Sequence, residues 1–177
     1  MTCSGGPAPR ISVILPTRDR LDSLRRTLDS LRAQDYPGER YEIVVTDDGS
    51  LDGTPAFLAQ QAGAGLLRAV RTCGRGPAAA RNAALAVAGG ELLVFTDDDC
   101  VVPPDWLSRL DALLSAGGLD AVGGSAENGM RSLLSEVYQE MAAFFYETHN
   151  REPGQARDRC PACRTLSCRW GSSPACW

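Results

Sequence analysis

The sequence predicts an α/β domain built on a mostly parallel sheet flanked by helices. Two observations predict it. Short apolar runs rich in β-branched residues alternate with segments whose apolar residues recur at helical spacing. Three of the apolar runs also end in polar or acidic groups: Pro16-Thr17, Asp47-Asp48 and Asp97-Asp98-Asp99. Ligands of parallel α/β sheets bind beyond the carboxyl ends of the strands, so these three groups are expected to converge on one edge.

The elements follow in order. Residues 11–15, ISVIL, read as a buried strand ended by Pro16. Leu21, Leu24, Leu28 and Leu31 lie at helical spacing, with Arg25, Arg26 and Asp29 on the opposite face. Tyr36-Pro37-Gly38 is a stop signal for that helix. Residues 41–46, YEIVVT, form a second strand, and Asp47-Asp48-Gly49-Ser50 a turn. Residues 54–63 are helical and 66–71 a third strand. After Gly74-Arg75-Gly76, residues 77–88 form an alanine-rich helix. Residues 92–96, LLVFT, form a fourth strand that runs into the acidic triplet. Pro103 and Pro104 open a helix carrying Trp106, Leu107, Leu110, Leu113 and Leu114. Residues 120–124 form a fifth strand and 131–147 a last helix, whose Leu133, Leu134, Val137, Met141, Phe144 and Phe145 make a broad apolar face.

The expected organisation is a disordered N-terminus over residues 1–9, the α/β domain over 10–148, and an irregular tail over 149–177. The tail holds four of the seven cysteines, two of the three tryptophans and five arginines, with no visible helical or strand period. Two readings of it stand. A shifted reading frame from about Arg159 fits a GC-rich gene, which the Ala, Gly, Pro and Arg usage suggests. A zinc-binding tail is the other, from the Cys160–Cys163 pair, although Cys168 and Cys176 follow at irregular spacing.

Composition removes several functions. The formal net charge of −4 argues against a nucleic-acid binder held by phosphate contacts. All basic residues are arginine, so there is neither a Schiff-base lysine nor a P-loop lysine. His149 is the only histidine, and a Ser-His-Asp or Cys-His site would depend on it alone. MTCSGGPAPR has no apolar core of a signal peptide, and no run approaches the length needed to span a bilayer. The expectation is a cytoplasmic protein, with peripheral contact at the inner membrane face left open.

Asp97-Asp98-Asp99 bears on chemistry first. Adjacent carboxylates repel, and a divalent cation offsets that cost; hard oxygen donors suit Mg²⁺ or Mn²⁺. Alternation along a strand puts Asp97 and Asp99 on one face. The alternative is a solvated acidic turn that caps the next helix. Asp47-Asp48-Gly49-Ser50 can offer a carboxylate to a nucleobase N–H or to ribose hydroxyls, or be an ordinary Asp-Gly turn. Gly74-Arg75-Gly76-Pro77 leads into a helix N-terminus, which favours anions, and Arg81 lies one turn further on.

Taken together, ISVILPTRDR, EIVVTDDGSLDGT, GPAAARNAAL and LLVFTDDDCVVPPDWL, in that order and spacing, resemble family 2 glycosyltransferases over roughly residues 10–125. The resemblance implies a GT-A fold, a nucleotide-diphospho-sugar donor (a UDP-sugar), inversion at the anomeric carbon, and Mn²⁺ or Mg²⁺ as cofactor. It implies that Pro16, Thr17 and Arg18 touch the base, that Asp47 and Asp48 contact base and ribose, and that Arg81 packs by the nucleotide. Asp97 and Asp98 then face the donor, and Asp97 and Asp99 hold the metal, Asp99 directly. The acceptor would be a glycan or lipid-linked hydroxyl, in polysaccharide or cell-envelope glycan synthesis.

The family's catalytic base, an acidic residue in the acceptor half, has no counterpart here. Glu136, Glu140, Glu147, Glu152 and Asp158 form no paired acidic motif. The sequence is therefore read as lacking the acceptor half, through truncation or frameshift, and no base is assigned. Two rival readings are a non-catalytic nucleotide-sugar-binding fragment and a nucleotidyltransferase.

Overall fold

The run Ile11–Thr17 forms the central strand, β1, with all seven residues buried, in a computed structural model that describes residues 8–117, 119–124 and 167–169. β1 pairs in parallel with β2 (Tyr41–Asp47) from Ile11–Tyr41 to Thr17–Asp47. On its other side it pairs in parallel with β4 (Leu92–Phe95), but only from Ile11–Leu92 to Ile14–Phe95. β3 (Arg68–Arg71) adds in parallel to β2. Between β4 and β5 (Ala121–Val122) lies β6 (Ser167–Arg169), antiparallel to both. The order is β3-β2-β1-β4-β6-β5. The predicted mostly parallel α/β sheet is thus observed.

Period-two alternation along β1 sorts the core into two layers. Ile11, Val13 and Leu15 point to one face, which is covered by α1 (Leu21–Arg32), α2 (Thr54–Gly63) and α4 (Trp106–Ser115). Leu24, Leu28 and Leu31 of α1 and Trp106, Leu107, Leu110 and Leu114 of α4 are fully buried there. Each contributes about 1.5–3 kcal/mol by leaving water. Ile14 points the other way and packs with Val44, Leu93 and Ala84 of α3 (Pro77–Leu85).

Several boundaries differ from the sequence expectation, each for a local reason. β1 continues through Pro16 instead of ending there. The Ile14 carbonyl accepts from Thr96 on the β4 side, and that of Thr17 accepts from Asp48 on the β2 side. Pro16 therefore turns its N–H-less nitrogen toward β4, and the β1–β4 ladder ends just before it, at Ile14–Phe95. β3 starts at Arg68, not 66, because the Leu66 amide bonds back to the Gln61 carbonyl and closes the end of α2. α3 ends at Leu85, not 88, because the chain must leave the helix to run beside β1. There the Gly90 amide donates to Ser12 Oγ at 2.8 Å, and a Cβ on Gly90 would lie 2.5 Å from the Ser12 backbone nitrogen. β5 is confined to Ala121–Val122 within the predicted 120–124. β6 lies in the tail, where the sequence shows no period.

A polar lock closes the amino end of the sheet. Arg10 pairs with Glu91 and with Asp111 at 3.1 Å, and the Tyr36 hydroxyl donates to Asp111 at 2.7 Å. Among the described residues no helix is long and apolar enough to cross a membrane. The predicted helix 131–147, residues 1–7, His149 and Cys160, Cys163 and Cys176 lie outside the described residues, as does the expected boundary between domain and tail at 148–149.

Candidate functional site: the crevice at the carboxyl ends of β1, β2 and β4

The chain leaves β1 for β2 on one side and returns to β4 on the other. The sheet therefore has its topological switch point between β1 and β4, where such folds form a crevice. The crevice is built from the residues that end those strands. The Thr17 hydroxyl donates to Asp98 Oδ2 at 2.7 Å, both residues being buried. The Thr27 hydroxyl of α1 donates to the Asp98 carbonyl at 2.9 Å, fixing the turn from the helix side. Burial pushes the Asp98 carboxyl above its ordinary range, and the Thr17 hydrogen bond and the Arg20 charge pull against that rise.

Exposure alternates through the triplet. The Asp97 and Asp99 side chains are 57% and 55% exposed, against 7% for Asp98. The outer pair projects outward while Asp98 turns in; β4 ends at Phe95, so this pattern is set not by the pleat but by a turn that the Cys100 amide closes on the Asp97 carbonyl at 3.2 Å. Arg81 of α3 pairs with Asp97. Arg20 donates to Asp99 Oδ2 at 3.0 Å and to Asp98 Oδ1 at 3.3 Å. Among the described residues no three His, Cys, Asp or Glu side chains gather as a ligand set, so the triplet itself offers two outward carboxylates rather than three.

The second group of residues divides its work. Asp48 Oδ1 accepts from the Thr72 hydroxyl at 2.6 Å and the Arg75 amide at 2.9 Å, and Oδ2 accepts from the Gly76 amide at 2.7 Å. The Thr72 bond, with the two amides and nearby Arg18, holds this carboxyl below its ordinary range despite desolvation. Asp48 thereby fixes the loop leading into α3. Gly49, at φ 82°, lets that loop approach: a Cβ there would lie 3.2 Å from the Gly74 nitrogen. Asp47 Oδ1 accepts from the Ser50 amide at 2.8 Å, and Arg71 lies 3.7 Å from Oδ2. That second oxygen is buried and makes no hydrogen bond with the described residues. The Arg18 guanidinium lies over Gly74.

Pro16, Thr17, Arg18, Asp47, Asp48, Arg81 and the acidic triplet thus lie along the linked strand ends. They do not make one cluster: Thr17, Asp98 and Asp99 form one group with Arg20, Asp97 pairs with Arg81, and Asp48 serves the 72–76 loop. Sequence reasoning missed Arg20, Asp19, Ser50 and Thr72. Asp19 has a left-handed backbone, φ 52°; its amide donates to Ser50 Oγ at 2.9 Å and its carboxylate accepts from the Leu51 amide at 2.6 Å. This latch joins the loops after β1 and β2. The only signal was Asp19 itself, a short polar residue of the kind that tolerates that conformation.

Chemically, the crevice combines hard carboxylate oxygens, guanidinium groups and a glycine-bearing loop that enters a helix N-terminus. That set suits a phosphorylated ligand with a divalent cation. A family model described as "Glycosyl transferase family 2" matches residues 12–170. The match takes in part of the stretch from Arg159 that the sequence reading set apart, and β6 lies inside it. Glycosyltransferase AglE of Haloferax volcanii is 35% identical over 121 residues, 67% of this chain and 40% of that protein. The mannosyltransferase PcManGT from Pyrobaculum calidifontis, solved in complex with GDP-Man and Mn²⁺, superposes with TM-score 0.62 at 35% identity, over 68% of this chain and 36% of that one. S. aureus TarS 1–349 in complex with UDP-GlcNAc gives TM-score 0.62 at 30% identity, over 70% and 36% of the two chains. The chain spans less than half the length of each of these proteins. The four parallel strands with flanking helices match GT-A glycosyltransferase structures, and the family model covers most of the chain: this chain belongs to glycosyl transferase family 2.

Proposed function

We propose that the crevice binds a nucleotide-diphospho-sugar, a UDP-sugar, together with Mn²⁺ or Mg²⁺. The protein it serves would transfer the sugar, with inversion, to a glycan or lipid-linked hydroxyl in polysaccharide or cell-envelope synthesis. The observation that carries this reading is the alternation at the end of β4. Asp98 is locked inward by Thr17, and Asp97 and Asp99 are left outward at the switch point. GDP-Man with Mn²⁺ in PcManGT and UDP-GlcNAc in TarS support the ligand class.

The residues fit a small hard cation, which takes one or two carboxylates and completes its shell with phosphate oxygens and water. Asp99 and Asp97 would hold it, and when bound it would neutralise charge developing on the diphosphate leaving group. The other groups position the donor. Thr17, Arg18 and Pro16 border the base side with Asp47, whose buried second oxygen, ion-paired with Arg71 but without a hydrogen bond among the described residues, is an acceptor in reserve. Asp48 holds the 72–76 loop at the N-terminus of α3, where backbone amides favour anions. Arg81 reaches the same side as Asp97. The base that activates the acceptor is assigned to no described residue.

Calorimetric titration of UDP, with GDP in parallel, into the full chain with Mn²⁺ or with chelator tests this. Binding should need the metal, and Asp99→Ala should abolish the metal-dependent part. Equal affinity in chelator would sink the metal site. With a UDP-sugar and acceptors, steady release of UDP marks transfer; intact donor marks a binding unit without transfer; consumption of a nucleoside triphosphate with sugar phosphate marks a nucleotidyltransferase.

A further inference from the structure

Each outward carboxylate of the triplet is covered by an arginine. Arg20 spans Asp98 and Asp99 at 3.3 and 3.0 Å, and Arg81 pairs with Asp97. Three carboxylates and two guanidinium groups leave the site one formal negative charge. That charge is small for capture of a bare divalent cation, which must also compete with two guanidinium groups for the same oxygens.

A diphosphate changes the competition. It supplies phosphate oxygens, which guanidinium groups bind in two-pronged fashion. Arg20 is built for such an exchange of partners. Its backbone is fixed, since its carbonyl accepts the Leu24 amide at 2.9 Å in the first turn of α1. Its side chain is 56% exposed, so phosphate oxygens can reach it from solvent.

We infer that Arg20, seconded by Arg81, couples metal binding to diphosphate binding at this site: the guanidinium groups screen Asp99 and Asp97 against a lone cation and move to phosphate when the nucleotide arrives. The inference rests on the donor-site reading above and names its regulation. Because coupling is reciprocal, nucleotide should tighten metal by the factor by which metal tightens nucleotide, within roughly 5- to 150-fold.

Mn²⁺ binding read from the EPR signal of the free ion, on the full chain with and without UDP, tests it without any turnover. The wild type should bind Mn²⁺ weakly alone and roughly ten-fold or more tightly with UDP. Arg20→Gln should bind Mn²⁺ alone more tightly and lose most of the UDP-induced gain. Arg20→Lys keeps the charge but lacks the two-pronged fork for phosphate, and should fall between. Arg81→Gln removes the ion pair with the exposed Asp97 and gives a second, independent arm; it should show a smaller change in the same direction. Wild-type coupling retained in both Arg20→Gln and Arg81→Gln overturns the inference, as does a wild type that binds UDP without any gain in Mn²⁺ affinity. A wild type that binds neither UDP nor GDP overturns the donor-site reading, and the coupling with it.

Discussion

The Thr17 hydroxyl donates to the Asp98 carboxylate across 2.7 Å and joins the end of β1 to the acidic turn after β4. Thr17→Val should leave that buried carboxylate with Arg20 as its remaining side-chain partner and cost about 1–3 kcal/mol. Thr17→Ser should recover most of it. Asp98 titrates above its ordinary range because of burial. Its protonated form therefore favours the folded state: the favourable contribution is full below pH ~4 and fades as pH rises through the folded value. The Thr17→Val deficit should accordingly be larger at pH 7 than at pH 4 in urea melts, and an equal deficit at both would contradict this account.

Asp111 behaves in the opposite sense. Burial pushes its carboxyl up, but hydrogen bonds from Tyr36, Arg10 and Ser115 outweigh burial and hold it low. Its contribution should be present above pH ~4 and lost as pH falls through the depressed value. Asp111→Asn should cost about 1.5–3 kcal/mol at pH 7 and less at pH 3. The Tyr36 phenol, pushed up to about 12 by burial and by Asp111, keeps its stabilising proton until strongly alkaline pH. Denaturant melts across pH on both variants would expose an error in either sign.

Asp48→Asn should loosen the 72–76 loop. An amide nitrogen cannot accept from the Gly76 and Arg75 N–H groups, so one of the three bonds must fail. Hydrogen exchange should accelerate at the Arg75 and Gly76 amides while those of β1 stay protected. Nucleotide affinity should fall with it. Unchanged exchange at both amides would separate Asp48 from the loop.

Gly90→Ala should be among the most damaging small substitutions. The added Cβ would meet the Ser12 nitrogen at 2.5 Å and the Ile11 carbonyl carbon at 2.6 Å, both backbone atoms of the central strand. Relief requires moving β1 or the start of β4, at about 3 kcal/mol or more. Gly38→Ala meets nothing within 4 Å and serves as the control. Thermal melts of the two should differ widely.

The layers of the fold were legible because they depend on periodicity. Leu24, Leu28 and Leu31 announce α1 on their own, and the run before each strand end marks β1, β2 and β4. The polar and acidic residue types at the strand ends were legible, but the inward turn of Asp98 between Asp97 and Asp99 was not, because it arises in a turn beyond the end of β4 and not in the pleat. Pairings across long stretches of chain were not legible. Thr17 and Asp98 are 81 residues apart, and nothing in either neighbourhood names the other. Arg20 reads as a solvated charge at the start of a helix until Asp98 and Asp99 are placed beside it. Asp48 could not be read as a loop clamp, since two of its three donors are backbone amides that leave no trace in composition. β6 escaped because three residues carry no period, and its place between β4 and β5 is decided by partners distant in sequence.

Pro16 gives the crevice a property that no side chain could. A strand pair zips until something stops it, and β1 and β4 stop after Ile14 and Phe95. The next nitrogen of β1 facing β4 is that of Pro16, which has no hydrogen to offer. The notch between the two strands is therefore written into the covalent chain. Beyond it the two segments are held by side chains, Thr17 on Asp98, rather than by backbone pairing.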